Sequence, residues 1–217
     1  MGSGVSVGIE SARAAPRSQR KAKGDGHLRR TEILAAAQKI FVECGYEGAT
    51  IRRIADEVGV SSTALYMHFR DKSEILVEIC SDTFSHIIAS NAGLAARDMD
   101  PVARVREMLE AYMQFGLDNP HAYQLVLGPS TTEIPPDKLS ILTELGAKNF
   151  KLFSGAIEQI RDAGRLRNND VDAVAQVLWA GPHGLINLLI NHPNFNWTDR
   201  DALVKLMLDG LFAGLIK

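Results

Sequence analysis

From Leu28 to the end of the chain, apolar residues recur at spacings of three and four, and almost no segment alternates apolar and polar residues. The first spacing is that of one face of an α-helix, whereas alternation is typical of a half-buried strand. The sequence therefore predicts an all-α protein. Its first apolar run predicts a helix that ends at Gly45, with a stripe formed by Ile33, Leu34, Ala37, Ile40 and Phe41.

A chain of 217 residues is long enough to bury a core without metals or disulfides. Its two cysteines, Cys44 and Cys80, show no metal-ligand spacing, which favours a reducing cytoplasm. The most apolar stretch, residues 177–190, is shorter than the about 20 residues that cross a bilayer, and it contains Pro182 and His183. We expect a cytoplasmic protein with no membrane span, no metal and no cofactor.

A helix-turn-helix pattern follows the first helix. A second helix is predicted to open at Thr50, a good N-cap residue, and to stop at Gly59, and a short helix over residues 63–69 follows the cap signal at Ser61. The apolar residues that join the two helices are Ile54, Val58, Val60, Leu65 and Phe69. The residues left to face outward are Ser62, Thr63, Tyr66 and Met67. Short polar side chains there can reach base edges in the major groove.

Charge is distributed unevenly along the chain. Residues 1–72 carry a formal charge of +4 and the remainder carries −6. The basic residues of the N-terminal end lie among Gly, Ser and Ala, and they are Arg13, Arg17, Arg20, Lys21, Lys23, Arg29 and Arg30. We expect residues 1–26 to be disordered when free. This arm is either a solvated tail or a segment that follows a DNA groove.

Longer helices are predicted in the second part of the chain. They cover residues 101–118, 120–127, a segment from Leu142 that closes at Gly164, 170–191 and 199–216. The last two are apolar around more of their circumference than a surface helix tolerates. They are buried either between two subunits, where Gly210 and Gly214 allow close approach, or in the core of one subunit.

One stretch resembles the TetR family of bacterial transcriptional repressors over residues 28–76 without a gap. The matching positions are Thr31 to Ala37, Phe41, Gly45-Tyr46, Thr50 to Ala55, Val58 to Ser61, Leu65-Tyr66, His68-Phe69 and Lys72. The resemblance implies a helix-turn-helix domain at 27–73 and a larger helical domain at 74–217 that binds an effector and forms a homodimer. Residues 179–184 also resemble a Trp-x-x-x-His-Gly motif of one TetR subgroup.

The resemblance assigns DNA contacts to particular residues. Thr50, Tyr66 and Lys72 match positions that hold phosphates, while Arg52, Ser62 and Thr63 match positions near base edges. Ser61 and His68 belong to the same DNA-binding set, and we expect Ser61 to act as a helix cap rather than a base reader and His68 to pack within the domain while touching a phosphate. The alternative for each residue is an exposed or capping side chain. Ser62 and Thr63 depart from the usual recognition helix, so no operator sequence carries over.

Aromatic and sulfur-containing side chains mark the helices that the family places around a ligand cavity. They are Met108, Tyr112, Phe115, Phe150, Phe153, Trp179 and His183. The alternative is that they form plain core. Trp179 and His183 lie on one face because they are four residues apart, and Pro182 between them should kink the helix.

These features favour a sequence-specific regulator of double-stranded DNA, a repressor released by a small, mainly apolar effector. An activator of the same fold and a helical adaptor that binds protein instead of DNA remain as alternatives. Enzymatic activity is not expected, because the chain lacks a nucleophile elbow, a P-loop, a dinucleotide fingerprint and a zinc-protease motif.

Overall fold

The computed structural model describes residues 25–127 and 136–217, which form nine α-helices. The helices are α1 (Asp25–Gly48), α2 (Ile51–Val58), α3 (Ser62–Tyr66), α4 (Lys72–Ala95), α5 (Pro101–Asp118), α6 (Pro120–Leu127), α7 (Pro136–Asp162), α8 (Val171–Asn191) and α9 (Arg200–Leu215). The all-α prediction is confirmed. The prediction of a disordered arm falls on residues 1–26, of which 1–24 lie outside the described residues.

Helices α1 to α3 form the predicted helix-turn-helix unit. Gly45 adopts φ 69° and ψ 172°, which interrupts α1 where the sequence predicts its end, although a further turn runs on to Gly48. Gly59 ends α2 in the left-handed region at φ 73°, which glycine enters without strain. Helix α3 ends three residues before the predicted limit, since the amide of His68 turns back to the carbonyl of Leu65 and draws Phe69 into the core.

The core of this unit extends into the rest of the protein. The five residues that were predicted to join α2 and α3 pack in it, with Ile54, Leu65 and Phe69 buried and the two valines partly buried. The same cluster takes side chains from α4, α6 and the start of α7, including Leu125 and Leu142. The two parts of the chain therefore share a continuous apolar contact.

Helix α4 has no counterpart among the predicted helices. Asp71 caps it by accepting a hydrogen bond from the amide of Glu74 at 2.8 Å. A buried stripe then continues for about four and a half turns through Ile75, Leu76, Ile79, Cys80, Thr83, Phe84, Ile87 and Asn91. The predicted domain boundary at residues 73 and 74 falls in the first turn of this helix, which continues through both parts of the chain.

Helices α5, α7, α8 and α9 build the larger helical body around a second core. Helix α7 closes as predicted before Gly164, which has φ 70°, with the amide of Arg165 bonded to the carbonyl of Ile160. The end of the chain returns to this loop, where Leu166 and Ile216 form an isolated antiparallel bridge. This bridge fixes the end of α9 on the α7–α8 turn.

Among the described helices, α8 is long and apolar enough to cross a membrane by length and composition. Its bounds, Val171–Asn191, agree with the helix predicted over residues 170–191, so the shortness of the apolar stretch at 177–190 does not by itself exclude a membrane span. Its buried side nevertheless packs against α5, α7 and α9, and Pro182 and Ile186 lie within that side. The helix is thus buried on one side only, and an apolar face that includes Val177 and Leu188 is exposed.

Candidate DNA-binding surface and ligand cavity

The outward face of α3 carries the residues that the sequence assigns to DNA. Thr63 is exposed, Ser62 is half-buried, and Tyr66 and Met67 are 55% and 82% exposed, while Leu65 between them is fully buried. A helix that is anchored by one buried residue and offers its other side chains to solvent can enter the major groove of DNA.

Thr50 and Ser61 are the N-caps of α2 and α3. Thr50 Oγ1 accepts from the amide of Arg53 at 3.2 Å, and Ser61 Oγ accepts from the amide of Ala64 at 3.1 Å. A hydroxyl that accepts from a cap amide keeps its own hydrogen for a phosphate oxygen. Both residues are exposed, so the capping role and a phosphate contact are compatible.

Lys72 has intramolecular partners that the sequence pattern did not indicate. Its ammonium donates to the carbonyls of Tyr46 at 2.7 Å and Ala49 at 3.3 Å, and it lies 4.1 Å from the centroid of the Tyr46 ring. Lys72 therefore ties α4 to the end of α1. A phosphate contact from this residue stays a prediction and would use the third hydrogen of the ammonium.

Arg52 and His68 lie in different surroundings. The Arg52 side chain is 87% exposed and its nearest carboxylate, on Asp56, is 4.0 Å away, so it is available for a base or a phosphate. His68 is half-buried, and its carbonyl accepts from Arg30 Nη1 at 2.6 Å. Arg30, one of the basic residues of the N-terminal end, is half-buried, pairs with Glu78 on α4 and lies 4.1 Å over the ring of Phe69.

A cavity of about 440 Å³ lies in the helical body, within the size range of small-molecule sites. Helices α4 to α8 all contribute to its wall. The lining residues are Phe84, Ile87, Asn91, Met108, Leu109, Tyr112, Leu127, Thr143, Gly146, Ala147, Asn149, Phe150, Phe153 and Trp179. Thr143 and Ala147 are exposed, so the cavity opens to solvent along α7.

The described wall of this cavity contains no Asp, Glu, Lys, Arg or His, and its polar side chains are few. Asn91 on α4 donates to Asn149 Oδ1 on α7 at 3.0 Å. This bond leaves the Asn91 amide oxygen and the Asn149 amide nitrogen for another partner. The cavity is therefore suited to a mainly apolar molecule, because a charged one would lose its hydration without gaining a counter-ion.

A hydrogen-bond network lies behind the cavity wall at Tyr112. Its hydroxyl is 2.8 Å from that of Tyr123 and 3.2 Å from His183 Nδ1, and the Tyr123 hydroxyl is 2.6 Å from the same nitrogen. Trp179 Nε1 donates to the Tyr112 hydroxyl at 3.3 Å, and Asn187 lies 3.0 Å from His183 Nε2. Burial raises the pKa of Tyr112 to about 12 and also raises that of Tyr123, while it lowers the pKa of His183.

Five of the seven residues predicted to contact an effector line this cavity, and two do not. Phe115 faces a small neighbouring hollow, where it stacks on His86 with ring centroids 4.9 Å apart. His183 is separated from the cavity by Tyr112, although it belongs to the same network. Tyr123 and Asn187 were not predicted, because nothing in their local sequence links them to residues on other helices.

Comparison with known families accounts for most of the chain. Residues 33–79 match the model for bacterial regulatory proteins of the tetR family, and residues 105–211 match the tetracyclin repressor-like C-terminal domain. The two models together cover the helix-turn-helix unit and nearly all of the helical body. Neither description names the Trp-x-x-x-His-Gly subgroup, which stays a prediction.

Individual relatives agree with these models. The chain is 25% identical to the transcriptional repressor KstR2 of Rhodococcus jostii over 84% of this chain and 91% of that protein. It is 31% identical to the transcriptional activator FasR of Mycolicibacterium smegmatis, but that match spans only 45% of each chain.

Solved structures show the same fold. The ketosteroid transcriptional regulator KstR2 of Mycobacterium tuberculosis has a TM-score of 0.75 at 20% identity, with 87% of this chain and 95% of that chain covered. The regulator PfmR of Thermus thermophilus has a TM-score of 0.71 at 23% identity, with 84% and 94% covered. With both halves matched by family models and the whole fold matched by solved relatives, the chain belongs to the TetR family of bacterial regulatory proteins.

Proposed function

We propose that this protein is a cytoplasmic transcriptional repressor that binds operator DNA as a homodimer and leaves it when an uncharged, mainly apolar molecule enters the cavity. The observation that carries the proposal is the position of α4. Its first half packs in the helix-turn-helix core through Ile75 and Ile79, and its second half lines the cavity through Phe84, Ile87 and Asn91. No enzymatic role is proposed.

A ligand in this cavity touches elements that also hold the DNA-binding unit in place. Besides α4, helix α6 supplies Leu127 to the cavity wall and Leu125 and Val126 to the helix-turn-helix core. A ligand can shift the protein between two arrangements only by its difference in affinity for them. Couplings of this kind are typically about 1 to 3 kcal/mol, which would weaken operator binding by about 5- to 150-fold.

The homodimer is proposed to form through the exposed faces of α8 and α9. On α9, Leu206 is 72% exposed, and Gly210, Ala213 and Gly214 lie exposed on the same side. A Cβ atom added at Gly210 or Gly214 would meet nothing within 4 Å, so the single chain gives no reason for a glycine at either position. Close approach of a second copy would give one.

The proposed base-reading residues are Thr63, Ser62 and Arg52, with Tyr66, Thr50 and Lys72 positioning the phosphates. Selection of bound duplexes from a random-sequence pool tests this assignment. Two half-sites related by a two-fold axis should be enriched, with centres about 34 Å or a multiple of that apart. Enrichment of no sequence would contradict operator binding, and a single half-site would contradict the dimer.

The assignment of base reading is tested by repeating the selection with Thr63→Ala. The difference in binding free energy between the preferred base pair and the others should change by about 1 to 3 kcal/mol at one position in each half-site. Thr198→Ala, at an exposed position in the α8–α9 loop, is the matched control and should leave the selected sequence unchanged. An unchanged preference in Thr63→Ala would remove Thr63 from the base-reading set.

The regulatory step is tested with compounds that release the selected duplex from the protein. Gly146→Leu should resist release while binding the duplex normally, because Gly146 lines the cavity and a larger side chain would fill it. Gly155→Leu on the same helix is the control, since an added Cβ there meets nothing within 4 Å. Equal release of both variants would place the ligand outside this cavity.

Activation is the second candidate, and the observation that favours it is the name of FasR, a transcriptional activator. A reporter gene placed behind the selected duplex distinguishes the two. Expression of the protein should lower transcription if it is a repressor and raise it if it is an activator.

A further inference from the structure

The hydrogens of the network behind the cavity can be assigned one by one. The Asn187 amide nitrogen lies 3.0 Å from the His183 carbonyl oxygen and 3.0 Å from His183 Nε2. A carbonyl oxygen only accepts, so the atom facing it must be the NH₂ group. That NH₂ group also donates to Nε2, which therefore carries no hydrogen. The neutral ring of His183 thus has its hydrogen on Nδ1, consistent with the lowering of its pKa by burial.

The hydrogen on Nδ1 fixes what the two tyrosines can do. It donates to the Tyr123 hydroxyl, the closer of the two at 2.6 Å. Nδ1 carries a hydrogen and cannot accept one from either tyrosine. The two hydroxyls therefore form one hydrogen bond with each other, in which one donates and the other accepts at 2.8 Å. One hydroxyl hydrogen is therefore left without a partner in the network.

Burial identifies which hydrogen is left. Tyr123 is completely buried and lines neither the cavity nor the neighbouring hollow, and within residues 25–127 and 136–217 a hydrogen left on it would face no acceptor. Tyr123 must then donate to Tyr112. The Tyr112 oxygen also accepts from Trp179 Nε1, which fills both of its acceptor positions. Tyr112 lines the cavity, and any further partner of its hydroxyl must accept the remaining hydrogen.

Building on the proposed ligand-controlled regulator, we propose that Tyr112 selects the ligand: an uncharged, mainly apolar molecule that presents a carbonyl oxygen to the Tyr112 hydroxyl. The absence of charged groups from the described wall excludes carboxylates and amines. The filled acceptor positions of Tyr112 exclude a ligand group that can only donate. Asn91 and Asn149 provide a second polar contact on the opposite helices.

Calorimetric titration with three matched probes tests this selection without DNA. Benzophenone carries the carbonyl, diphenylmethane replaces it by a methylene, and diphenylacetate adds a negative charge. Wild-type protein should bind benzophenone about 2- to 12-fold more tightly than diphenylmethane, the range for one net hydrogen bond, and should bind diphenylacetate least. Equal affinity for the first two, preference for diphenylacetate, or no saturable binding of benzophenone would overturn the proposal.

Tyr112→Phe should abolish the preference for benzophenone over diphenylmethane by weakening benzophenone binding alone. Tyr46→Phe is the matched control, because it removes a hydroxyl from the DNA-binding unit, far from the cavity. A preference that persists in Tyr112→Phe would assign the carbonyl to another group and overturn the role of Tyr112. If Tyr112→Phe does not fold, the ranking of the three probes by wild-type protein still tests the selection for a carbonyl.

These outcomes are separate from those of the proposed function. A protein that ranks the probes as expected but enriches no duplex would keep the ligand selection and lose the regulator. A protein that binds and releases an operator but does not distinguish benzophenone from diphenylmethane would keep the regulator and lose the selection by Tyr112.

Discussion

Arg30 on α1 and Glu78 on α4 form a bidentate ion pair, with Arg30 Nε 2.6 Å from Glu78 Oε1 and Nη2 bonded to Oε2. The same guanidinium holds the carbonyl of His68, just after α3, and lies over the ring of Phe69. The hydrogen bonds with Glu78 raise the pKa of Arg30, which keeps its charge fixed. One side chain therefore joins three elements of the DNA-binding unit.

Replacing Arg30 should destabilise this junction. Arg30→Ala is expected to lower the free energy of unfolding by about 1 to 2 kcal/mol, since a half-buried Glu78 loses its partner, and to weaken operator binding in parallel. Urea unfolding and fluorescence anisotropy with the selected duplex measure the two effects. Arg97→Ala, which breaks a more exposed ion pair with Glu107, should cost about 0 to 1 kcal/mol. Similar losses in the two variants would show that Arg30 acts only as a surface charge.

The protonation of His183 should contribute to the way the free energy of unfolding changes with pH. Burial lowers its pKa in the folded protein below the ordinary value of 6.5, and the described part of the chain places no carboxylate in the network around it. The unfolded chain therefore binds more protons below about pH 6.5, and stability falls as the pH drops from that value toward the folded pKa. In His183→Gln, thermal unfolding measured from pH 8 to pH 5 should lack this contribution. An identical pH profile in both proteins would contradict the neutral state of His183.

Gly116 should be intolerant of any side chain. A Cβ atom at this position would lie 2.8 Å from Tyr123 Cδ2 and 3.1 Å from Ile186 Cγ2, inside the packed centre of the network. Gly116→Ala is expected to cost about 1 to 3 kcal/mol of stability, as overpacking usually does, and to weaken benzophenone binding by displacing Tyr123. Gly155→Ala in α7 should instead stabilise the protein by about 0.5 to 1 kcal/mol, because its Cβ meets open space. Thermal unfolding measures the stability of both variants. Changes in stability of the same sign in Gly116→Ala and Gly155→Ala would contradict the role of packing at Gly116.

A charge on the exposed face of α9 should separate the subunits. Leu206→Glu places a carboxylate where the proposed dimer buries a leucine, so sedimentation should show monomers at micromolar concentration while the helical content stays unchanged. Leu139→Glu makes the same change at an exposed leucine of α7 and should leave the dimer intact. Dimers in both variants would move the interface away from α9, and a monomeric wild-type protein would remove it altogether.

The helix-turn-helix unit was predictable because its signals are local. Thr50, Gly59 and Ser61 mark the helix ends by their own conformational preferences, and Leu65 and Phe69 follow the helical period. Helix α4 carried an equally local signal, an Asp71 cap ahead of a regular apolar stripe. The predicted helices nevertheless omit α4, because the family resemblance ends inside its stripe, at residue 76.

The candidate ligand site was predictable only in part. Aromatic side chains at helical spacing gave Phe150, Phe153 and Trp179, but the same spacing could not tell a cavity wall from packed core. The partners of His183 lie 60 and 71 residues away in the chain, at Tyr123 and Tyr112. Such contacts arise from the packing of α5, α6 and α8, which no local pattern encodes.

The continuity of α4 has a mechanical consequence. Sixteen residues separate Ile75 in the DNA-binding core from Asn91 at the cavity, which is about 24 Å along a helix axis. Helix displacements of about 1 to 2 Å are common in protein switches, and on a lever of this length about 2 Å corresponds to a tilt of only about 5°. A ligand that displaces the cavity wall by roughly the radius of one atom would thus tilt α4. The N-terminal end of α4, and the recognition helix that Arg30 fixes to it, would move by a comparable distance.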